Sequence, residues 1–171
     1  MSRSPSQGAC WGRACEGRRV IALNKARVGH RYPSYRYEVS REKIREYANA
    51  TGVSDPQYAA DEGDVVAPPM FAACFTVIRG GAGMFGDAEL GAHFALVHGS
   101  QEYEFHRPVR LGDVLECTPF IADIQWKGRN EFLTLQVDCN DATTGEPVVT
   151  SRGVIVFLGS APQNPEQQEA S

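Results

Sequence analysis

The stretch at residues 65–81, with the sequence VVAPPMFAACFTVIRGG, constrains the fold of this chain more than any other segment. Its two adjacent prolines suit a helix start, because the first helical residues have no intrahelical partner for their N–H groups. Every residue in 70–78 except Thr76 is apolar, so the pattern predicts a helix of about three turns that is buried on all sides. Gly80 and Gly81 are predicted to end it. The rest of the chain must then supply strands that wrap around this helix; the alternative is an ordinary core helix in another α+β fold.

The remainder of the chain predicts one early helix and a set of strands. Ser40 is a suitable N-cap for a helix that ends at Gly52, and its apolar residues recur at helical spacing. Short turns join segments that alternate apolar and polar residues or are rich in β-branched residues. The predicted strands are residues 35–39, 98–107, 114–126, 131–140 and 148–158. Pro119 predicts a bulge within the third of them. The predicted fold class is therefore α+β: a single hot-dog fold, in which a curved antiparallel sheet wraps around a central buried helix.

Composition narrows the possible functions. The chain has 171 residues, 42% of them hydrophobic, which is enough for one domain with a real core. A net charge of −4 favours neither a nucleic acid nor an anionic membrane surface as a partner. No apolar run approaches the roughly 18–20 residues that span a bilayer, so the expected location is the cytoplasm. Cys74, Cys117 and Cys139 fall on predicted core faces and are expected to be reduced and buried, and no cysteine has metal-ligand spacing.

The two ends of the chain differ from its middle. Residues 1–28 are rich in glycine, serine and arginine and show no periodicity, so they are predicted to form a disordered N-terminal extension. The domain is predicted to occupy residues 29–159. Residues 160–171 are predicted to form a disordered C-terminal tail, also on composition.

Three segments resemble a known family. They are VAPPMF at residues 66–71, HGSQEYEFHRPVRLGDVL at 98–115 and EVSREKIREYANATG at 38–52. Together they resemble the N-terminal MaoC-like dehydratase family, in particular the accessory, non-catalytic subunits of actinobacterial (3R)-hydroxyacyl-ACP dehydratases. The resemblance covers about residues 30–159.

The catalytic motif of that family is altered here. Active (R)-specific members resemble one another in a motif Asp-x-Asn-Pro-apolar-His just before the buried helix, whereas this chain has VSDPQY. Aligning on Pro56 puts Val53, Asp55 and Tyr58 at the Asp, Asn and His positions. A valine cannot titrate and an unperturbed tyrosine titrates near 10, so the pair is a poor acid–base couple. No catalytic residue is therefore expected in this chain. Asp55 is most simply a loop cap beside the proline.

The resemblance implies a component of a (3R)-hydroxyacyl-thioester dehydratase or enoyl hydratase of fatty-acid metabolism, acting on acyl-ACP or acyl-CoA. The implied role is to bind the acyl chain in a heterodimer with a catalytic MaoC-like subunit, without a cofactor or metal. One alternative is a homodimeric protein that binds acyl thioesters without turnover; others are a hydratase that uses different groups, and a thioesterase that uses Glu62 or Asp64. The candidate substrate-binding residues are Pro69, Met70, Phe71, Phe75, His98 and Gln101.

Structural roles compete for several of these side chains. His98 at a strand start is also expected as a histidine with a purely structural hydrogen bond. Gln101 is predicted to be a buried, hydrogen-bonded amide, with an interface contact as the alternative. Arg107 and Asp113 flank a turn and are predicted to pair across it.

Overall fold

The structure, a computed structural model, describes residues 22–59 and 63–162. Most of the predicted extension, residues 1–21, and most of the predicted tail, residues 163–171, lie outside the described residues. Residues 22–28 were assigned to the extension but are part of the folded domain. Leu23 is fully buried, and its N–H donates to both carboxylate oxygens of the buried Glu131, at 3.1 and 3.0 Å. Ser160, at the start of the predicted tail, is buried as well.

The described residues form one sheet and a few helices. The sheet consists of five antiparallel strands in the order β1-β3-β4-β5-β2. The strands are β1 (Tyr35–Glu38), β2 (Leu96–Phe105), β3 (Val114–Lys127), β4 (Asn130–Asp141) and β5 (Pro147–Phe157). The helices are a 3-10 turn (Lys25–Arg27), α1 (Arg41–Thr51), α2 (Pro56–Ala59) and a central helix made of Pro69–Ala72 (3-10), Ala73–Thr76 and Ile78–Gly86. No helix among them is long and apolar enough to cross a membrane.

This arrangement is the predicted α+β hot-dog fold. The sheet packs against the 18-residue central helix at residues 69–86. Helix α1 also forms as predicted: the Ser40 hydroxyl accepts from the Lys43 N–H at 3.4 Å, and Gly52 ends the helix with a left-handed φ of 72°. The bulge in β3 lies between Ile121 and Asp123, not at Pro119. Pro119 lies beyond the residues that β1 pairs with, 114–117. Beside it there is only an isolated bridge between Arg31 and Phe120, and the Pro119 carbonyl accepts from the Tyr32 N–H at 2.8 Å, so the N–H that proline lacks interrupts no continuous strand pairing.

The central helix is longer than the sequence predicted. Gly80 and Gly81 do not end it, because both are helical and the helix continues to Gly86. The approach of helix to sheet explains the first glycine: a Cβ on Gly80 would lie 2.8 Å from Cγ2 of Val137 on β4. The helix is interrupted near Thr76, whose hydroxyl donates to the Ala72 carbonyl at 2.8 Å, a bond that often bends helices.

One face of the central helix is exposed, so the prediction that it is buried on all sides was wrong. Ile78 is 80% exposed and Met70 is 52% exposed, whereas Phe71, Phe75 and Met84 are fully buried. Cys74, also predicted to be buried, lies on the exposed side. We call this apolar side the open helix face, and it consists of Met70, Cys74, Ile78 and Phe85.

The apolar core is divided into two clusters. Phe71 and Phe75 belong to the cluster around α1 and β1, and Met84 belongs to the cluster that contains Leu23 and Phe157. Leu135 and Val137, two residues apart on β4, belong to different clusters. The core is therefore discontinuous beneath the middle of the central helix.

Candidate functional site

A cavity of about 460 Å³ opens where the two core clusters separate. It lies between the C-terminal part of the central helix and the inner face of β2, β4 and β5. Its walls are mainly apolar, with polar groups confined to a few positions. The lining residues are Thr76, Val77, Ile78, Gly81, Ala82, Met84 and Phe85 from the helix, and Leu96, His98, Gln101, Leu135, Val137, Ser151, Gly153 and Ile155 from the sheet. We call this space the helix–sheet cavity.

The helix–sheet cavity continues into a shallower depression of about 430 Å³ along the start of the central helix. The two share Val77, Ile78, His98 and Gln101, and the depression extends to Met70 and Tyr103. A mainly apolar cavity with a few polar groups near one end is the usual form of a small-molecule site. A ligand with a polar head and an apolar tail would suit this arrangement.

His98 and Gln101 both hold structural hydrogen bonds at this cavity. The Gln101 amide Nε2 donates to the Ser151 hydroxyl at 2.8 Å and to the Arg152 carbonyl at 3.3 Å. Nε2 of His98 lies 3.0 Å from the Ser100 carbonyl. Gly153 leaves room for the amide, because a Cβ there would lie 3.0 Å from Oε1 of Gln101. Both side chains are therefore hydrogen-bonded within the chain, although Gln101 is half-buried rather than buried and His98 is exposed, and both also line the cavity.

Tyr103 supplies a protonated hydroxyl beside the depression. Its oxygen lies 3.4 Å from the Thr76 hydroxyl. Burial raises the pKa of Tyr103 above its ordinary value, so the phenol keeps its proton at neutral pH. It can donate a hydrogen bond but is a poor general base.

The altered motif lies in a different place. Asp55 is exposed and accepts from the backbone N–H of Gln57 at 3.0 Å and from its side-chain amide at 2.9 Å. This is the loop-cap role predicted for Asp55. Val53 and Tyr58 are half-buried, and Tyr58 lines a separate cavity of about 480 Å³. We call this second space the motif cavity.

The motif cavity is more polar than the helix–sheet cavity and includes Gln57, His106 and Arg107. The predicted pair of Arg107 and Asp113 is confirmed, with N–O distances of 2.8 and 3.1 Å, and Arg107 also contacts Asp141 at 3.0 Å. Nε2 of His106 lies 3.3 Å from the Thr150 hydroxyl. The strongest charges near this cavity are thus already paired with one another.

The chain has four histidines, and none of their contacts described here is to a carboxylate. His30 packs against the Tyr32 ring. His93 packs against the Phe157 ring, and its Nδ1 accepts from the Ala95 N–H at 3.2 Å. With His98 and His106 bonded as described, none of these contacts pairs an imidazole with a carboxylate.

The other predicted substrate-binding residues are dispersed. Met70 borders the depression, but Pro69 lines the motif cavity. Phe71 and Phe75 lie in the core, where Tyr47 packs edge-on against the first ring and Tyr37 lies 5.0 Å from the second. The structure thus brings Met70, His98 and Gln101 together, and places the other three elsewhere.

Asp64, one of the two carboxylates considered for a thioesterase, does not line the helix–sheet cavity. Asp64 is exposed and forms an ion pair with Arg110 at 3.1 Å. Glu62 lies outside the described residues.

Several cavity residues were missed by the sequence analysis, among them Gly81, Phe85, Leu96 and Ile155. The sequence pattern predicts Gly81 as a helix cap, so it does not place the residues beyond Gly81 on the same helix. The signal available in the sequence was Gly153, since a glycine inside a strand often marks the close approach of another group.

The fold and this cavity define the class of the protein as a MaoC-like hot-dog dehydratase domain. Within that class, the family model described as FAS1-like, dehydratase domain region matches residues 26–151, and the chain belongs to this family. It is 36% identical over 159 residues to a UPF0336 protein of Saccharopolyspora erythraea, covering 88% of this chain and all of that protein. A UPF0336 protein of Thermobifida fusca is 38% identical over 151 residues, or 83% of this chain and 98% of that one.

Solved structures agree on the fold. A MaoC-like dehydratase superposes with a TM-score of 0.71 and 26% identity over 85% of this chain, which spans only 46% of that longer chain. The HadBC (3R-hydroxyacyl-ACP dehydratase) complex of Mycobacterium tuberculosis superposes with a TM-score of 0.59 and 24% identity, over 74% of this chain and 92% of that one. The ChsH1-ChsH2 complex of the same organism superposes with a TM-score of 0.60 and 17% identity, over 82% of this chain and 89% of that one.

Proposed function

We propose that this chain is the acyl-chain-binding subunit of a MaoC-like (3R)-hydroxyacyl-thioester dehydratase or enoyl hydratase of fatty-acid metabolism. The observation that carries the proposal is the mainly apolar helix–sheet cavity, which has the size for an acyl chain and no acid–histidine couple among the residues that line it. The thioester would be carried by ACP or CoA. The chain would be active only with a catalytic MaoC-like partner.

The reaction chemistry supports this division of labour. Removing water from a 3-hydroxyacyl thioester requires a base for the proton next to the carbonyl, an acid for the departing hydroxyl, and donors for the enolate-like oxygen. Val53 cannot exchange a proton, and the Asp55 carboxylate is engaged by Gln57. In this proposal the partner supplies the base and the acid, and this chain holds the acyl tail. Such proton transfers need no metal or organic cofactor.

The open helix face and the sheet edge support a partner. Met70 and Ile78 expose apolar surface that folding of this chain leaves in contact with water. Strand β2, beside this face, is the last strand of the sheet, so one of its edges has no strand beside it among the described residues. Similar folds occur in the HadBC and ChsH1-ChsH2 complexes. The MaoC-like dehydratase chain is longer, and this chain superposes on only 46% of it.

The same surface supports a second candidate function. A second copy of this chain could cover the open helix face, giving a homodimer that binds acyl thioesters without turnover. The cavity would then serve the same ligand, but no catalytic partner would be needed.

We also propose a cytoplasmic location. Cys117 and Cys139 lie opposite each other on β3 and β4, and both are free thiols. Cysteines that are adjacent and unpaired are typical of a reducing compartment.

Reconstitution tests the function. The chain is purified alone and together with a chain from the same genome that carries the Asp-x-Asn-Pro-x-His motif, and hydration of crotonyl-CoA and trans-2-dodecenoyl-CoA is measured. We expect activity from the mixture and none from this chain alone. Activity of the lone chain would contradict the proposal. A homodimer that binds acyl-CoA tightly, with no effect of the partner, would favour the second candidate.

The substitution Ile78→Lys tests the interface. A lysine at the centre of an apolar interface should weaken assembly by at least about 30-fold in Kd. Analytical ultracentrifugation of the mixture measures this effect, and circular dichroism shows whether each variant is folded. Val114→Lys is the matched control, because Val114 is also an exposed apolar residue but lies on β3, across the sheet from β2. Unchanged assembly of the Ile78 variant would show that the partner binds elsewhere.

A further inference from the structure

The central helix contains four glycines within seven residues, and two of them are required by close packing. A Cβ on Gly80 would lie 2.8 Å from Val137, and a Cβ on Gly83 would lie 2.9 Å from the Tyr32 ring. Contacts this short do not occur between real side chains, so the sheet and the N-terminal segment can approach the helix only at glycine. The fourth, Gly86, is the last helical residue and has open space beside it.

Gly81 is different, because nothing in the packing requires it. It is buried, yet an added Cβ would meet no heavy atom within 4 Å, and its backbone is helical. Glycine lowers the stability of a helix interior relative to alanine, so its presence here has a cost that packing does not explain. Gly81 lines the helix–sheet cavity, and the space a side chain would fill belongs to that cavity.

Phe85 borders the other end of the cavity and is stacked on a second aromatic ring. Phe85 lines the cavity, and its ring stacks on Phe94 with centroids 4.9 Å apart and planes 5° apart. Phe94 is 84% exposed, which is unusual for a large apolar side chain and indicates that the stack stands at the boundary between cavity and solvent.

The cavity runs parallel to the central helix, from Thr76 at one end to Phe85 at the other. Thr76 faces Tyr103 near Ser151 at the end that joins the depression, and Phe85 lies at the opposite end of the lining helix residues. The ten residues from Thr76 to Phe85, helical except for Val77, span about 14 Å at a rise of 1.5 Å each. A fully extended alkyl chain advances about 1.25 Å for each carbon–carbon bond, so this length holds roughly twelve carbons.

We infer that Gly81 and the Phe85–Phe94 stack set the acyl-chain length that this protein accepts, at roughly twelve carbons within the cavity. Gly81 keeps the middle of the cavity open, and the stack limits its far end. This inference rests on the proposed function, because it assigns the acyl tail of the substrate to the helix–sheet cavity.

Two substitutions in the reconstituted complex test it in opposite directions. Gly81→Leu fills the cavity and should lower kcat/KM for trans-2-dodecenoyl-CoA at least about tenfold relative to crotonyl-CoA, since each displaced methylene loses its apolar contacts. Phe85→Ala removes part of the stack. It should raise kcat/KM for trans-2-hexadecenoyl-CoA relative to that for trans-2-dodecenoyl-CoA. Gly86→Leu is the matched control, because it adds the same side chain to the same helix outside the cavity, and it should leave both ratios unchanged.

The outcomes separate this inference from the proposed function. Gly81→Leu should have a melting temperature close to that of the wild type, because leucine favours the helix and an added Cβ meets no heavy atom within 4 Å. If the wild-type complex is active but Gly81→Leu and Gly86→Leu give the same chain-length ratios, the inference is wrong and the proposed function stands. If the wild-type complex is inactive at every chain length, the proposed function fails and the inference fails with it.

Discussion

The two faces of the central helix make a useful comparison, because they belong to the same 18 residues but have opposite surroundings. On the inner face, Phe71 and Phe75 are fully buried, with their ring centroids 6.2 Å apart. On the open helix face, Ile78 and Met70 are mostly exposed. Both faces are apolar, so hydrophobicity alone does not distinguish them.

The difference shows which apolar residues the fold needs and which it does not. The inner face completes the core of the isolated chain. The open helix face contributes little to that core, and Ile78 and Phe85 also line the helix–sheet cavity. Apolar side chains that remain exposed after folding, next to a cavity and to the outer edge of β2, are best explained by binding.

The largest expected effect that would test this comparison is on stability. Phe75→Ala should lower the free energy of unfolding by about 3–5 kcal/mol, because it leaves a cavity in a packed aromatic cluster. Ile78→Ala, on the same helix, should change it by no more than about 0.5 kcal/mol. Urea unfolding of the isolated chain measures both values. Similar losses for the two variants would show that the faces are equivalent and would remove the argument for a binding surface.

The fold was largely predictable because its signals are local. The Ser40 cap and the left-handed Gly52 define α1, and alternating residues such as Leu133, Leu135 and Val137 define the inner face of β4. The strands begin and end within about two residues of the predicted positions. Each of these signals acts between residues that are close in sequence.

The end of the central helix was not predictable in the same way. A pair of glycines after an apolar run is a typical helix-ending signal. Gly80 instead serves contact with Val137, which is 57 residues away, and Gly81 adjoins the cavity. A single sequence does not distinguish a glycine that ends a helix from one that allows close packing.

The exposure of Met70 and Cys74 could not be predicted either. Residues at a protein interface can be as apolar as residues in a core, so the sequence pattern is the same for both. The candidate site was likewise predictable only where its signal is local. The altered motif at Val53 and Tyr58 is contiguous in the sequence and could be found there. The cavity combines one helix with three strands and could not.

A medium effect is expected at the glycines where helix and sheet meet. Gly80→Ala should lower the free energy of unfolding by about 1–3 kcal/mol, because its Cβ would overlap Val137. Gly81→Ala, one residue later, should raise it by about 0.5–1 kcal/mol, since the alanine meets no neighbour and stiffens the unfolded chain. Urea unfolding curves of the two variants and of the wild type show whether each substitution raises or lowers the free energy of unfolding. Changes of the same sign would contradict the distinction between packing and cavity glycines.

The smallest effect is a change in thiol reactivity on the open helix face. Cys74 lies on the exposed side of the helix, but the surrounding protein still partly desolvates its thiol. This desolvation raises the pKa of the Cys74 thiol, so little thiolate is present at neutral pH. Alkylation of Cys74 by iodoacetamide should therefore be slow at pH 7 and should quicken by about tenfold per pH unit up to that pKa. Mass spectrometry of the Cys74 peptide measures the rate, with the buried Cys117 and Cys139 as unreactive controls. Adding the catalytic partner should slow the reaction further, because the partner would cover this face; an unchanged rate in an active complex would place the interface elsewhere.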